Sequence, residues 1–465
     1  MTALTDRPTS DDMADLSGQG LNERQAAQID SYHALLDADS RVVPDVYRWT
    51  SPLQGQALTV PVTRYTTQEF HDLEVERVWK HVWQMACRVE DILEPGEYVK
   101  YDIAGISVLV VRQKDGSIRA HRNVCLHRGR TLKESDGRAD AFTCPFHGIT
   151  WDLDGSLKHL PCSWDFPQVN GEWPLKPVQV DTWGGFVFVN LDMDAPPLAK
   201  HLGTLPEHFA AWPLDRRYKQ VHVGKVLRCN WKLAQEAFME SWHVVATHPQ
   251  LLPALGDTVS KYDAWGTFSR TLTPNGVPSP HLKWQPTEQE MWDALTDRGL
   301  DQDPVSVVPD GSTARLFMSD NRRAHLAGEI GEQHAMMLSD AEMCDSMPYS
   351  LFPNLHPWGS FNRTCYRFRP YGNRHDMSIF ECMILSPFEG DTPPHGAPLH
   401  LLGPDDDWTL APELGLLTRV FNQDDANLPF QQQGLESGSI DEVTFAEYQE
   451  TKIRHFHTVL EQWIA

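Results

Sequence analysis

Two short stretches, CLHRG (Cys125, His127) and CPFHG (Cys144, His147), stand with 16 residues between His127 and Cys144, and each carries one cysteine, one histidine and one glycine. From Glu97 to Asn190 the surrounding sequence is made of short runs rich in Val, Ile, Tyr and Phe, punctuated by EPGEY, KDGS, DLDGS and TWGGF. That is the pattern of antiparallel strands joined by tight turns. The two stretches therefore read as loops of a small all-β domain that close around one metal centre. A tetrahedral zinc site is the simplest use of two Cys and two His, but such sites usually pair Cys with Cys and His with His. One of each per loop is what a Rieske [2Fe–2S] centre requires, with two thiolates on one iron and two imidazoles on the other. Gly129 and Gly148 are expected to let the backbone approach the cluster and to aim N–H groups at its sulfurs.

A second constellation lies in FMESWHVVATHP, Phe238 to Pro249. His243 and His248 are five residues apart, which on an ideal helix places them about 140° apart rather than on one face. Pro249 disfavours helical geometry at His248 and removes the next N–H, so the helix should end there and free His248 to swing toward His243. Two imidazoles and one carboxylate make a facial set for Fe(II) with positions left open for O₂. The third donor must come from far along the chain, and FNQDDANL offers Asp424 and Asp425. On a continuous helix over CNWKLAQEAFMESWHVVAT, Glu236, Glu240 and His243 recur at i, i+4 and i+7 and share a face. A carboxylate behind a ligating histidine fixes its tautomer and orientation.

NVCLHRG followed by CPFHGITWDLDG is similar to the Rieske signature of the ring-hydroxylating, or Rieske non-haem iron, oxygenases, in their large α subunit. NWKLAQEAFMESWHVVATHP resembles the family's active-site helix, and YSLFPNLHPWGSFNRTCYRFRPYG resembles the sheet that walls its substrate pocket. The resemblance covers roughly residues 60 to 465. It implies a [2Fe–2S] cluster on Cys125, His127, Cys144 and His147, and one mononuclear Fe(II) on His243, His248 and Asp425, with Asp424 the fallback. It also implies that Glu240 bridges His243 to His147 of a neighbouring chain and carries the electron path, in a homotrimer with or without a small β subunit. Ala237, Phe238 and Val244 would then line an apolar pocket. The family usually has Asp where Glu240 stands, Asn at Ala237 and Tyr at Trp242. Glutamate at the bridge also occurs in the branch acting on quaternary amines.

The resemblance thus implies a terminal oxygenase, an oxidoreductase that incorporates O₂. It would use NAD(P)H-derived electrons from a ferredoxin or reductase to mono- or cis-dihydroxylate an apolar or aromatic small molecule, as in aromatic hydrocarbon catabolism. A monooxygenase or demethylase of quaternary amines, or of methoxy or N-methyl substrates, is the alternative, and a Rieske electron carrier a more distant one. The chain has no GxGxxG or GxxxxGK[ST] loop, so no flavin or nicotinamide site is expected in it.

The expected architecture is α+β, with the small all-β Rieske domain (residues 91–192) inserted before a catalytic domain of antiparallel sheet and helices (193–465). Residues 45–90 form the helical lead-in to that domain, where Thr66 and Glu69 suggest a capping box, and residues 1–44 a loosely attached arm. A net charge of -24 argues against nucleic acid or anionic membrane as partner. The longest strongly apolar run, ISVLVV, is far short of a membrane span, and no export signal is seen, so a cytoplasmic protein is expected. Cysteines 87, 162, 229, 344, 365 and 382 are expected as buried thiols. HAMMLSDAEMCDS could line a pocket or pack loosely, and among 16 tryptophans a few could cage a cation.

Overall fold

The computed structural model describes residues 21–51, 57–296 and 305–465. The short β-rich runs pair as one sheet of seven strands. Their spatial order is Gln84–Arg88, Phe186–Asn190, Pro177–Trp183, Ile118–Arg122, Ile106–Arg112, Glu97–Ile103 and Gly137–Arg138. The first of these strands precedes residue 91, where the sequence pattern placed the start of the β domain. EPGEY turns at Gly96, whose φ of +88° and whose approach to Ala139, 2.5 Å from where a Cβ would sit to its carbonyl oxygen, leave no room for a side chain. Beside this sheet, Phe142–Thr143, Thr150–Trp151 and Leu157–His159 form a small three-stranded sheet. Cys125 and Cys144 are part of the apolar cluster between the two, together with Leu109, Val111, Phe142, Ile149 and Trp151.

The catalytic domain is built on eight strands in the order Lys261–Trp265, Phe268–Leu272, Tyr349–Leu351, Leu355–Pro357, Thr364–Pro370, Ser378–Pro387, Arg217–Leu227 and His400–Leu402. All neighbours are antiparallel except the last pair. Side chains alternate across its centre. Tyr366, Phe368, Phe380 and Cys382 belong to one apolar cluster, whereas Cys365, Met383 and Leu385 belong to another with Met85, Phe186 and Phe188 of the β domain. On the second face Arg367 Nη1 donates to the carbonyls of Met85 and Ala86, at 3.1 and 2.8 Å, so that face meets the β domain while the first meets the functional helices.

Several local expectations change. Thr67, not Thr66, caps the helix Gln68–Glu74, accepting from Phe70 N at 3.3 Å, while Thr66 Oγ1 donates back to Val62 O at 3.2 Å. The last helix is Thr451–Ile464, and ahead of it Glu442–Thr444 pairs as a strand with Thr59–Pro61. The expected helix over residues 229–247 is broken into Trp231–Glu236 and Val244–Thr247. No helix among the described residues is long and apolar enough to cross a membrane.

The first of those fragments is anchored from below. Lys232 and Glu74, both fully buried, form an ion pair at 2.7 Å, and Trp231 Nε1 donates to the other Glu74 oxygen at 3.1 Å. A buried pair of this kind is costly to break, because either charge left alone has no solvent.

The arm is docked where it is described, residues 1–20 lying outside the described residues. Tyr32 and Leu36, on the helix Leu21–Asp37, are buried, and Tyr32 Oη donates to Asp345 Oδ2 at 2.9 Å. Asp39 accepts from the amides of Asp340 and Ala341 at 2.8 and 2.9 Å, capping the far helix Asp340–Cys344. Truncating so large a buried side chain typically costs about 3–5 kcal/mol. Tyr32→Ala is accordingly expected to lower the unfolding free energy read from a denaturant titration by an amount in that range; a cost below about 1 kcal/mol would show that the arm is only loosely attached.

Candidate functional site

The two Cys–His loops have the same construction. Cys125 N donates to Arg130 O (2.7 Å) and Gly129 N to Cys125 O (3.0 Å); Cys144 N donates to Ile149 O (2.8 Å) and Gly148 N to Cys144 O (2.9 Å). Gly129 and Gly148 both take a positive φ, +76° and +77°, which closes each loop in a conformation that favours glycine. Their amides are thus used on cysteine carbonyls. The N–H groups that reach the Cys125 sulfur belong to His127 and Arg128; burial pushes that thiol up, and so does the adjacent Cys144. The imidazoles of His127 and His147 lie 4.7 Å apart between centroids. Buried His127 Nδ1 has no hydrogen-bond partner among the described residues. Two thiols side by side, two imidazoles side by side and an orphaned ring nitrogen fit a [2Fe–2S] centre of the mixed-ligand type. His147 is exposed, next to Phe146 (56% exposed), and Trp164 is 82% exposed.

The second site depends on the helix break. After Trp231–Glu236 the backbone tightens, with Phe238 N donating to Gln235 O and Met239 N to Glu236 O, and Ser241 N is then taken by Tyr262 Oη at 3.1 Å. Glu240 begins the next turn. Its Oε2 accepts from His243 N at 2.9 Å, as an N-terminal capping side chain does, and its Oε1 accepts from His243 Nδ1 at 2.7 Å. The helix Val244–Thr247 ends at His248, whose φ of −127° and ψ of 53° lie outside the helical region ahead of Pro249. This exit brings the rings of His243 and His248 within 5.3 Å of each other.

Glu236 does not share a face with Glu240 and His243, because no continuous helix joins them. It turns instead to Tyr65 Oη (3.1 Å) and His457 Nε2 (2.9 Å), and burial pushes its carboxyl up to about 8.

The carboxylate that meets the histidines is Asp424, not Asp425. Asp424 Oδ1 lies 2.8 Å from His248 Nε2 and 3.7 Å from His243 Nε2, and donor atoms of the three residues fall within 4.8 Å of one another. Both aspartates lie in the last turn of the helix Leu417–Asp425, where successive side chains point about 100° apart. Asp425 is directed at the sheet, where it pairs with Lys225. The preceding residue, Gln423, has a part that the sequence did not reveal: its Oε1 accepts from His248 Nδ1 at 2.8 Å and is braced by Gln250 Nε2 at 2.9 Å. Each histidine thus spends Nδ1 on a supporting oxygen and keeps Nε2 beside Asp424, which fits a metal held by two imidazoles and a carboxylate. In this set burial would lower His243, but Glu240 outweighs it and holds the ring up to about 9.

Of the expected pocket residues, Phe238 stands among Phe380, Tyr366, Phe368 and Phe421, with centroids 4.7, 5.3, 5.4 and 6.0 Å away, and Ala237 packs against the same cluster. Val244 belongs to a separate group with Leu252 and Leu282. Trp242, beside His243, is 46% exposed. Among the six other cysteines, Cys162 is exposed, with a φ of +54°, and the remaining five are buried.

Residues 82–170 match the Rieske [2Fe-2S] domain, and residues 207–465 match the ring hydroxylating alpha subunit (catalytic domain). The chlorobenzene dioxygenase subunit alpha of Cupriavidus sp. (strain PS12) is 38% identical over 197 residues, 39% of this chain and 42% of the relative. The glycine betaine monooxygenase oxygenase subunit of Chromohalobacter salexigens is 32% identical over 303 residues, 58% of this chain and 66% of the relative. For the first of these, the aligned stretch spans less than half of the relative's length. The fold is shared with a quaternary ammonium Rieske monooxygenase crystallised with L-carnitine, with a TM-score of 0.62 and 16% identity over 88% of this chain and 96% of that one. It is shared as well with the naphthalene 1,2-dioxygenase of Rhodococcus sp. bound to indole, with a TM-score of 0.59 and 19% identity over 96% and 98% of the two chains. The chain belongs to the family of ring-hydroxylating oxygenase α subunits, with a Rieske [2Fe–2S] domain ahead of a mononuclear iron domain.

Proposed function

We propose that this chain is the terminal oxygenase component of an electron-transfer system, hydroxylating an apolar or aromatic small molecule with O₂ and NAD(P)H-derived electrons. The observation that carries this reading is the convergence of His243, His248 and Asp424 beside the aromatic cluster around Phe238. Mono- and dihydroxylation both consume O₂, two electrons and two protons. When bound, the cluster supplies the electrons one at a time and the iron supplies O₂ activation. Cys125, His127, Cys144 and His147 hold the first; His243, His248 and Asp424 hold the second.

The chain's own residues do the rest. Glu240 and Gln423 keep each imidazole in the tautomer that offers Nε2. Phe238 and its aromatic neighbours set an apolar wall that positions a flat substrate and excludes water. Exposed His147 on the β domain, and partly exposed His243 backed by Glu240, support an electron path between neighbouring copies through Glu240, in a homotrimer. A ferredoxin or reductase supplies the β domain.

A second reading is favoured by the glutamate at position 240 and by the glycine betaine monooxygenase relative: monooxygenation of a quaternary amine, held by the same aromatic faces through cation–π attraction. Substrate-dependent O₂ uptake with a surrogate reductase, scored on aromatic, polycyclic and quaternary-amine compounds, decides between them, product mass distinguishing one oxygen atom from two. No uptake with any of these classes would remove both readings.

The ligand assignment has a direct check. Asp424→Ala should abolish mononuclear iron binding while the visible spectrum of the cluster is unchanged, whereas Asp425→Asn should keep most of the iron. Lys225→Met removes only the partner of Asp425, not a group that touches a ligand, and should likewise keep most of the iron. Iron content per cluster reads all three, and full occupancy in Asp424→Ala would return the role to Asp425.

Glu240→Gln tests the bridge. Gln can still accept from His243, so both metal centres should persist while turnover collapses and single-turnover reoxidation of the cluster slows. Wild-type turnover in that variant would refute the bridging role.

A further inference from the structure

On the face of the catalytic sheet opposite the aromatic cluster, between that sheet and the β domain, lies a cavity of about 510 Å³. This falls within the range of about 300–1,000 Å³ usual for small-molecule sites. Its inner wall carries Lys219, His222, Glu381, Arg367 and Arg369 from three adjacent strands, with Asp91 from the β-domain side. The charges there do not balance. Lys219 is matched one to one by Asp91, at 2.8 Å, but Arg367 and Arg369 share the single carboxylate of fully buried Glu381. Glu90, the other buried acid of this lining, is paired with Arg88, so among these inner groups one guanidinium charge is left over. His222, its side chain 7% exposed, has no hydrogen bond at either ring nitrogen among the described residues, and its nearest carboxylate, Glu381, is 3.9 Å away.

An unspent imidazole N–H next to a surplus guanidinium is a recognition element for an anion, because a buried polar group without a partner costs about 1–3 kcal/mol that a ligand can recover. Further out, the wall is mixed: Lys100 pairs with Asp102, and Glu97, Asp136, Arg138 and His395 complete the rim. The two rim acids, Glu97 and Asp136, disfavour a multiply charged anion. Much of the remaining lining is apolar, with Met85, Cys87 and Met383.

We propose that this interdomain cavity binds an organic monocarboxylate, its carboxylate seated between His222 and the Arg367–Arg369 pair and its apolar body against Met85, Cys87 and Met383. Burial holds His222 down to about 4, so the ring meets the ligand neutral, with one N–H to give. The site lies on the reverse side of the sheet from the metal ligands, so its occupancy is separable from substrate binding.

Titration calorimetry on the holoprotein at fixed ionic strength tests this, with benzoate as the probe and chloride and inorganic phosphate as separate arms. Benzoate should bind saturably at one per chain, with phosphate and chloride much weaker. His222→Phe, which removes no hydrogen bond within the protein, and Leu399→Trp, which obstructs the edge of the cavity, should each weaken benzoate about tenfold or more. Cluster absorbance and iron content should stay unchanged in both, confirming an intact fold. Benzoate binding that is absent, or unaltered in both variants and so located elsewhere, overturns the proposal; equal binding of phosphate or chloride would mean an adventitious ion only.

Discussion

The carboxylate of Glu240 holds the mononuclear site in place. One oxygen accepts the backbone N–H of His243 and the other its Nδ1–H, so a single side chain starts the short helix Val244–Thr247 and orients the imidazole at its head. A capping interaction is worth about 0.5–2 kcal/mol, and a hydrogen bond to a charged group about 1.5–3 kcal/mol. Together they offset the loss of continuous helix between Glu236 and His243. Had the helix run on through His248, the two histidines would diverge by about 140°. Because it ends at His248, their rings stand 5.3 Å apart.

The rest of the frame keeps the break from healing. The fragment before it is fixed by the buried Glu74–Lys232 pair, and the residue within it, Ser241, is held by Tyr262 Oη. Gln423, Asp424 and Asp425 then approach from the opposite side as one helical turn with divided labour: the first supports His248, the second meets both histidines, and the third ties the turn to Lys225. Consecutive residues can do three different things because a helix rotates each by about 100°.

This arrangement explains what could and could not be read from the residues alone. The Cys–His loops were legible because their geometry is set within five or six residues by a tight turn and a glycine. Pro249 likewise announces the helix end one residue away. The choice between Asp424 and Asp425 was not legible, since two adjacent aspartates differ only in what faces them. Lys225 stands 200 residues earlier, on a strand. Thr67 took the cap expected of Thr66 for a similar reason: both have the hydroxyl, and only the backbone angle at the helix start decides. Gln423 carried no signal at all, because an amide becomes a support only once His248 is placed beside it. The break itself was hidden, as no Gly or Pro marks it, and the determinant is a side-chain cap, not a backbone preference.

The central sheet brings the two halves of the molecule to terms through its two-residue period. Along Thr364–Pro370 and Ser378–Pro387, Tyr366 pairs with Cys382 and Phe368 with Phe380 on the side of the metal ligands, while between those pairs Arg367 meets Glu381 on the other. Gly224 lies opposite Glu381 on the next strand, and a Cβ there would come within 3.3 Å of the Glu381 side chain, so the glycine leaves room for a carboxylate serving two arginines. A one-residue slip of register would send the arginines into the aromatic cluster and the rings into the charged cavity. The cost would be several kcal/mol for each charge left without its partner. The buried Arg–Glu set therefore fixes the register that keeps the wall behind the metal site apolar, and polarity on one face of the sheet is the condition for dryness on the other.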